Sequence, residues 1–320
     1  MATTTSDDSR GRDAATPAQM PAQGWWAALK RAWAESGDDN LNLIAAGVAF
    51  YAFLTIVPIL GALVLAYGLV AEPATLVRHV QGLTSVMPAD AARLIGEQLM
   101  QVVQAEGSRK GLGVLLALAI ALYGASKGMG AIVTALNVVY DEEETRGFVK
   151  RTVLTLVMVV GAIGLAILLI LAVSATGYLQ TLLPTSSPAV VALLKILSWV
   201  VAAALVSAGI AAVYRYAPAR DKAKWSWLTP GSVLATLGIV AASLLFGIYV
   251  ANFGNYNATW GSLGAVVVLL TWLNLSAFIL LLGGEVNAEL EHQTGRDTTR
   301  GPERPLGTRG AEMADKVAAG

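Results

Sequence analysis

Six long apolar stretches constrain this chain more than any other feature. They run roughly Leu41–Val70, Gly111–Leu136, Val149–Ser174, Ala189–Tyr214, Leu228–Ala251 and Gly261–Glu289. Each holds at least about 20 residues, enough for a helix to cross a hydrocarbon core of roughly 30 Å. Inside lipid every backbone polar group must be bonded within the protein, so helices are the natural solution for runs of this length. The expectation is an all-α, polytopic membrane protein: a six-helix transmembrane bundle with an N-terminal interfacial helix and amphipathic helices in the first external loop.

Charge sets the orientation. Only 14% of residues are charged, about half the usual share, and they cluster between the spans. Lys and Arg resist translocation and collect in cytoplasmic loops. Sixteen lie on the side that carries both termini, in the N-terminal segment, near Arg146–Arg151 and Arg215–Lys224, and in the C-terminal segment. Four lie on the other side: Arg78, Arg93, Arg109 and Lys110. The pattern predicts a multi-pass protein of the bacterial plasma (inner) membrane with both termini cytoplasmic. Basic and acidic residues balance at 22 each, which argues against a nucleic-acid partner. The partners expected are membrane lipids, with homo-oligomerisation and further protein partners left open.

Residues 1–23 and 292–320 lack apolar periodicity and read as disordered cytoplasmic tails flanking a membrane domain at 24–291. Between them, Trp25, Trp26, Leu29 and Trp33 fall on one arc of a helix beside Lys30 and Arg31. That pattern fits a helix on the inner membrane surface, or one packed against the bundle. In the loop Ala71–Lys110, Pro73 and Pro88 punctuate two amphipathic helical patterns, which either form a cap or cover helix ends. The uncharged, amide-rich segment Tyr249–Gly261 suits a headgroup site or a bonded interfacial turn.

Within the spans, Pro58 marks an expected helix kink. Gly124 and Gly128 give a small-residue face for close helix packing. Ionisable groups in lipid are costly unless paired or hydrated, which singles out Lys127, Glu285 and Glu289, with Asn274 as a deep amide. Lys127 lies about 16 residues into the second span, roughly 24 Å at 1.5 Å per residue. The expectation is that it pairs with Glu285, either as part of a substrate path or as an interhelical lock.

Catalytic signatures are missing from the sequence. There is no Cys, and the two His residues, His79 and His292, fall on opposite sides of the expected topology. There is no metal-binding HExxH, phosphate loop or nucleophile elbow. The expectation is no enzyme activity, no cofactor and no metal.

Several blocks resemble a known family. The run Leu43-Ile-Ala-Ala-Gly-Val-Ala-Phe-Tyr-Ala-Phe-Leu-Thr-Ile-Val-Pro58 is similar to the first-span signature of the YihY/virulence factor BrkB family. So are Ala125-Ser-Lys-Gly-Met129, Ala135-Leu-Asn-Val-Val-Tyr140 and Glu144-Thr-Arg-Gly-Phe148 to its second. Arg215-Tyr-Ala-Pro218, Trp227-Leu-Thr-Pro-Gly231, Asn255-Tyr-Asn257, Trp260-Gly-Ser-Leu-Gly264 and Gly283-Gly-Glu-Val-Asn-Ala-Glu289 follow in order. Trp260 stands where the family pattern leads one to expect Tyr. The resemblance spans roughly residues 25–291 and implies a bacterial inner-membrane protein of six helices. Members have carried a ribonuclease BN label, which no residue pattern here supports. A transporter or flippase-like role for a lipid or other envelope component is the leading expectation. A non-transporting scaffold or envelope-assembly factor is the alternative.

Overall fold

The computed structural model describes residues 10–68, 93, 96–97, 112–182, 188–253 and 263–318. The expected amphipathic helices of 71–110 fall almost wholly outside the described residues, as does most of the amide-rich segment 249–261.

Among the described residues, six long helices carry the fold. They are α2 (Leu41–Gly68), α3 (Leu112–Val139), α4 (Phe148–Leu182), α5 (Pro188–Tyr216), α6 (Trp225–Phe253) and α7 (Leu263–Gln293). A shorter helix, α1 (Ala22–Asp38), precedes them, and a single turn, α8 (Glu312–Asp315), follows. Among the described residues the β content is one isolated bridge, Ala223 to Thr299. Helices α3 to α7 each contain a stretch long and apolar enough to cross a membrane. The sixth candidate span is the pair α1 and the start of α2, bent by 69° at their junction. The protein is an all-α polytopic membrane protein.

Each long helix packs on the next, and α7 returns to α2, closing a ring of six. The outer surface is apolar: Leu116, Ile120, Leu193, Ile196 and Leu245 are each more than 60% exposed. Such a belt is unfavourable in water and neutral against lipid tails. Small residues allow the close contacts inside. A side chain at Gly124 would sit 3.1 Å from the Pro58 ring, and one at Gly128 would sit 2.7 Å from the Thr55 hydroxyl. The Gly124/Gly128 face is therefore where α3 lies against α2, and α2 runs on through Pro58 to Gly68.

Helix α1 docks through a stripe at helical spacing, Gly24, Ala28, Ala32 and Ser36, all buried. It packs chiefly on α7. Trp26 and Trp33 point outward, 62% and 66% exposed, beside the cations of Lys30 and Arg31. Both aspects of the sequence pattern are present: a face fastened to the bundle and an aromatic face left open.

The terminal segments depart from the expectation of disorder. Residues 10–21 and 294–318 fold into a cap over the end of α7. Arg309, 3% exposed, donates through its guanidinium to the backbone oxygens of Gly295, Arg296, Arg304 and Ala314. Asp297 accepts from the backbone and hydroxyl of Thr299 and from the Arg304 amide. Thr294 donates to Ala14 O at 2.8 Å, and Gln293 donates to Arg10 O at 3.0 Å. Apolar periodicity is a poor guide here because charged side chains and backbone carbonyls, not an apolar stripe, hold the cap together.

Candidate functional site

Two polar features lie within the bundle, and the sequence-derived residues divide between them. The first is the terminus-bearing end of α7, where every residue from Gly283 to Gln293 except His292 is buried. It begins with close backbone contact. An added side chain at Gly283 would lie 2.6 Å from Gly231 O and 2.6 Å from the Tyr214 hydroxyl. The facing helix α6 begins at Trp225, three residues earlier than the apolar pattern implies. Pro230 therefore sits inside the helix and not in its first turn. Proline interrupts the backbone ladder there, and Asn287 intervenes. Its amide oxygen accepts from Gly231 N–H at 2.7 Å, and its NH2 donates to Leu228 O at 3.2 Å.

Below this stitch, α7 makes ion pairs outward. Glu289 is paired with Arg31 of α1, whose guanidinium also donates to Glu289 O at 3.2 Å and Gln293 Oε1 at 2.8 Å. Glu291, 0% exposed, accepts from Arg220 at 2.5 Å and from the Thr298 hydroxyl at 2.7 Å. Glu285, 1% exposed, faces Asp39 in the α1–α2 junction, and its Oε1 has no hydrogen-bond partner. Burial holds the Asp39 carboxyl above its ordinary range, and the charge of Asp141 adds to this.

The second feature is a groove between α2, α3 and α4, with a volume of 330 Å³. Tyr51, Tyr123, Ser126, Lys127, Arg151 and Thr155 are among its lining residues, and no carboxylate is. It opens sideways toward the lipid face, where Tyr51, Tyr123 and Phe148 are 47%, 56% and 80% exposed. Lys127 Nζ lies 5.0 Å from the centre of the Tyr123 ring, a cation–π arrangement. Arg151 donates to the Thr134 hydroxyl at 2.7 Å and stands 4.0 Å from Glu144. The hydroxyls of Ser126, Thr134, Thr152 and Thr155 donate to carbonyls of their own helices. Their lone pairs remain as acceptors, while Lys127 and Arg151 supply the donors.

Lys127 and Glu285 do not pair. Gly284 lies level with Leu136 and Val139 of α3, where an added side chain would meet both at 3.2 and 2.9 Å. Lys127 is nine residues before Leu136, about 14 Å along the helix axis. The sequence estimate placed them at one depth by counting along each helix separately, which does not reveal that Gly284 meets Leu136 and Val139. Glu289 belongs to the Arg31 pair. Asn274 lies mid-helix in α7 with a buried carbonyl oxygen that has no hydrogen-bond partner among the described residues. Pro58 rests on Gly124, one turn from Lys127.

The comparisons with known proteins bear on this geometry. A family model described as virulence factor BrkB matches residues 32–307. The chain belongs to the virulence factor BrkB family. That match includes the Lys127 groove, the buried end of α7 and residues 294–307 of the terminal cap. Among its relatives is the ribonuclease-like protein YfkH of Bacillus subtilis, 32% identical over 206 residues, 63% of this chain and 74% of the relative. Another is the UPF0761 membrane protein PBPRA3489 of Photobacterium profundum, 25% identical over 257 residues, 79% and 77% of the two chains. A third, the UPF0761 membrane protein IL2447 of Idiomarina loihiensis, is 27% identical over 182 residues, 57% and 60%. No solved structure matches the chain.

Sequence reasoning singled out Lys127 but missed its neighbours. Tyr123, one turn away, and Arg151, counted only as a topological charge, complete the groove. The available signal was an aromatic and a cation four residues apart on one face of an otherwise apolar helix.

Proposed function

We propose that this BrkB family member is a transporter or flippase-like protein for an anionic amphiphile, a lipid or another envelope component, in a bacterial inner membrane with both termini cytoplasmic. The observation that carries this reading is the Lys127 groove. Lys127 is twelve residues from the end of α3, about 18 Å along the axis and near the middle of a hydrocarbon core. A lone cation at that depth, open to the side and lined with hydroxyls, suits a headgroup that moves along the groove while its tails stay in lipid. The placement of cations supports the orientation, since Arg31, Arg146, Lys150, Arg215 and Arg220 all lie at the terminus-bearing end.

No hydrolytic step is assigned. The ribonuclease-like name of YfkH points to bond cleavage, but a positioned base and nucleophile are needed for that. The groove offers two cations, two phenols, and Ser and Thr hydroxyls that donate to carbonyls of their own helices. The scaffold alternative draws on the folded terminal cap, which presents a defined surface to a partner. A lipid-translocation assay separates them. Purified protein in liposomes, read by dithionite quenching of fluorescent phosphatidylglycerol, should accelerate transbilayer movement. Lys127→Gln should slow it roughly 10- to 100-fold, the cost of one lost charge-assisted hydrogen bond. Rates equal to protein-free vesicles for every lipid tried, with and without a proton gradient, would favour the scaffold.

A further inference from the structure

A second concavity, of 480 Å³, opens on the side of α4 away from the Lys127 groove, where α4 begins and α5 ends. Five cations line it: Arg146, Lys150, Arg215, Arg220 and Lys222, with Asp221 as the one acid. The ion pairs do not neutralise this set. Arg146 is held by Glu144, Arg220 by Glu291, and Asp221 by Arg304. Lys150, Arg215 and Lys222 have no carboxylate partner among the described residues.

Arg215 carries the most weight. It is 6% exposed, and its Nε is buried without a hydrogen-bond partner. Its guanidinium lies 4.7 Å from the Trp225 ring and 5.7 Å from the Tyr216 ring. Lys222 Nζ lies 4.8 Å from the same Tyr216 ring. Arg220 also has a buried nitrogen, Nη1, with no partner. Arg220 is already paired with Glu291, but Arg215, whose guanidinium donates to the Ala223 carbonyl, has no counter-charge; a buried cation in that state is costly, and an arriving anion relieves the cost.

The surroundings identify the anion's source. Val149, next to Lys150, is 71% exposed, and Trp225, against the Arg215 guanidinium, is 49% exposed. Aromatic rings at the end of membrane spans mark the headgroup level. Along α4 the exposed side chains continue as Val153 and Val157, an apolar strip for acyl chains.

We propose that this cavity binds the phosphate of an anionic phospholipid from the adjoining leaflet, with Lys150, Arg215 and Lys222 as the cations that hold it. The site is separate from the Lys127 groove, and it stands whether or not the protein moves lipid.

The test uses full-length protein in detergent, titrated with phosphatidylglycerol and read by native mass spectrometry. The parent should retain phosphatidylglycerol and discriminate against phosphatidylcholine. Each lysine near an anionic membrane surface multiplies affinity roughly fivefold, so the double variant Lys150→Gln, Lys222→Gln should bind about thirtyfold more weakly. Both lysines are exposed, and an unchanged melting curve would show that the fold is kept. Lys316→Gln, at an exposed lysine that does not line the cavity, should retain the lipid as the parent does. Equal retention by the double variant would overturn the proposal. So would displacement of the lipid by inorganic phosphate at matching concentrations, which would make the cavity a soluble-anion site.

Discussion

Asn287 offers the sharpest test of the packing. It is fully buried, and its amide bonds two backbone groups of α6 beside Pro230, at 2.7 and 3.2 Å. Asn287→Ala leaves the Gly231 N–H and the Leu228 carbonyl buried without these partners. Each such group costs about 1–3 kcal/mol, so the loss should be about 2–6 kcal/mol. At roughly 2 °C per kcal/mol for a chain of this size, the melting temperature should fall by roughly 4–12 °C. Tryptophan fluorescence of the detergent-solubilised protein would read this directly. Asn274→Ala is the control on the same helix. Its carbonyl oxygen has no partner to lose, and it should melt close to the parent. If Asn287→Ala melts within about 1 °C of the parent, or Asn274→Ala is equally damaging, the stitching of α6 by Asn287 is wrong.

Other consequences follow from the same contacts. Gly283→Ala forces a methyl against Gly231 O and the Tyr214 hydroxyl, both at 2.6 Å, and should destabilise the α6–α7 contact by about 1–3 kcal/mol in the same melting assay. Hydrogen bonds from Arg146 hold the Glu144 carboxyl below its ordinary range. A depressed carboxylate stabilises the fold above its unfolded pKa, and that contribution disappears as pH falls through the folded value. Glu144→Gln should therefore lower the melting temperature at pH 7 and flatten its decline toward acid. Asp39 has the opposite sign, since its folded pKa is raised. Its charge opposes folding more strongly as pH rises, so Asp39→Asn should stabilise the protein at pH 7 and lose that advantage near pH 3. Arg309→Ala removes the guanidinium that gathers four backbone oxygens of the cap. Limited trypsin digestion should then cut after Arg300 several-fold faster.

The membrane fold was legible because its physical cause is written locally. A run such as Val149–Ser174 can cross lipid or aggregate, and its length alone implies a helix. Gly124 and Gly128 were legible as a contact face for the same reason, since small residues one turn apart permit little else. The Lys127–Glu285 pairing failed because depth was counted along each helix separately. Nothing in the linear chain reveals that Gly284 meets Val139, which sets the two helices about 14 Å out of step with that estimate. Asn287 was one asparagine among several, and its importance depends on Pro230 lying inside α6. The terminal cap was hidden because Arg309 and Asp297 bond backbone groups brought near only by the fold. Arg151 was legible as a charge and not as a groove residue, because its nearness to Lys127 requires α3 and α4 to be packed side by side.

The central claim is that a polar path reaches Lys127 at mid-membrane depth. The chain has no native cysteine, so one introduced thiol reports alone. Lys127→Cys and Ile120→Cys should be compared in intact membrane vesicles with a membrane-impermeant maleimide. The reaction needs the thiolate, which forms in water and not in lipid. Ile120, 64% exposed on the same helix, faces the lipid side. The account predicts that the cysteine at 127 is labelled from the terminus-bearing side, that added phosphatidylglycerol slows the labelling, and that the cysteine at 120 stays unreacted. Equal inertness at both positions would contradict it.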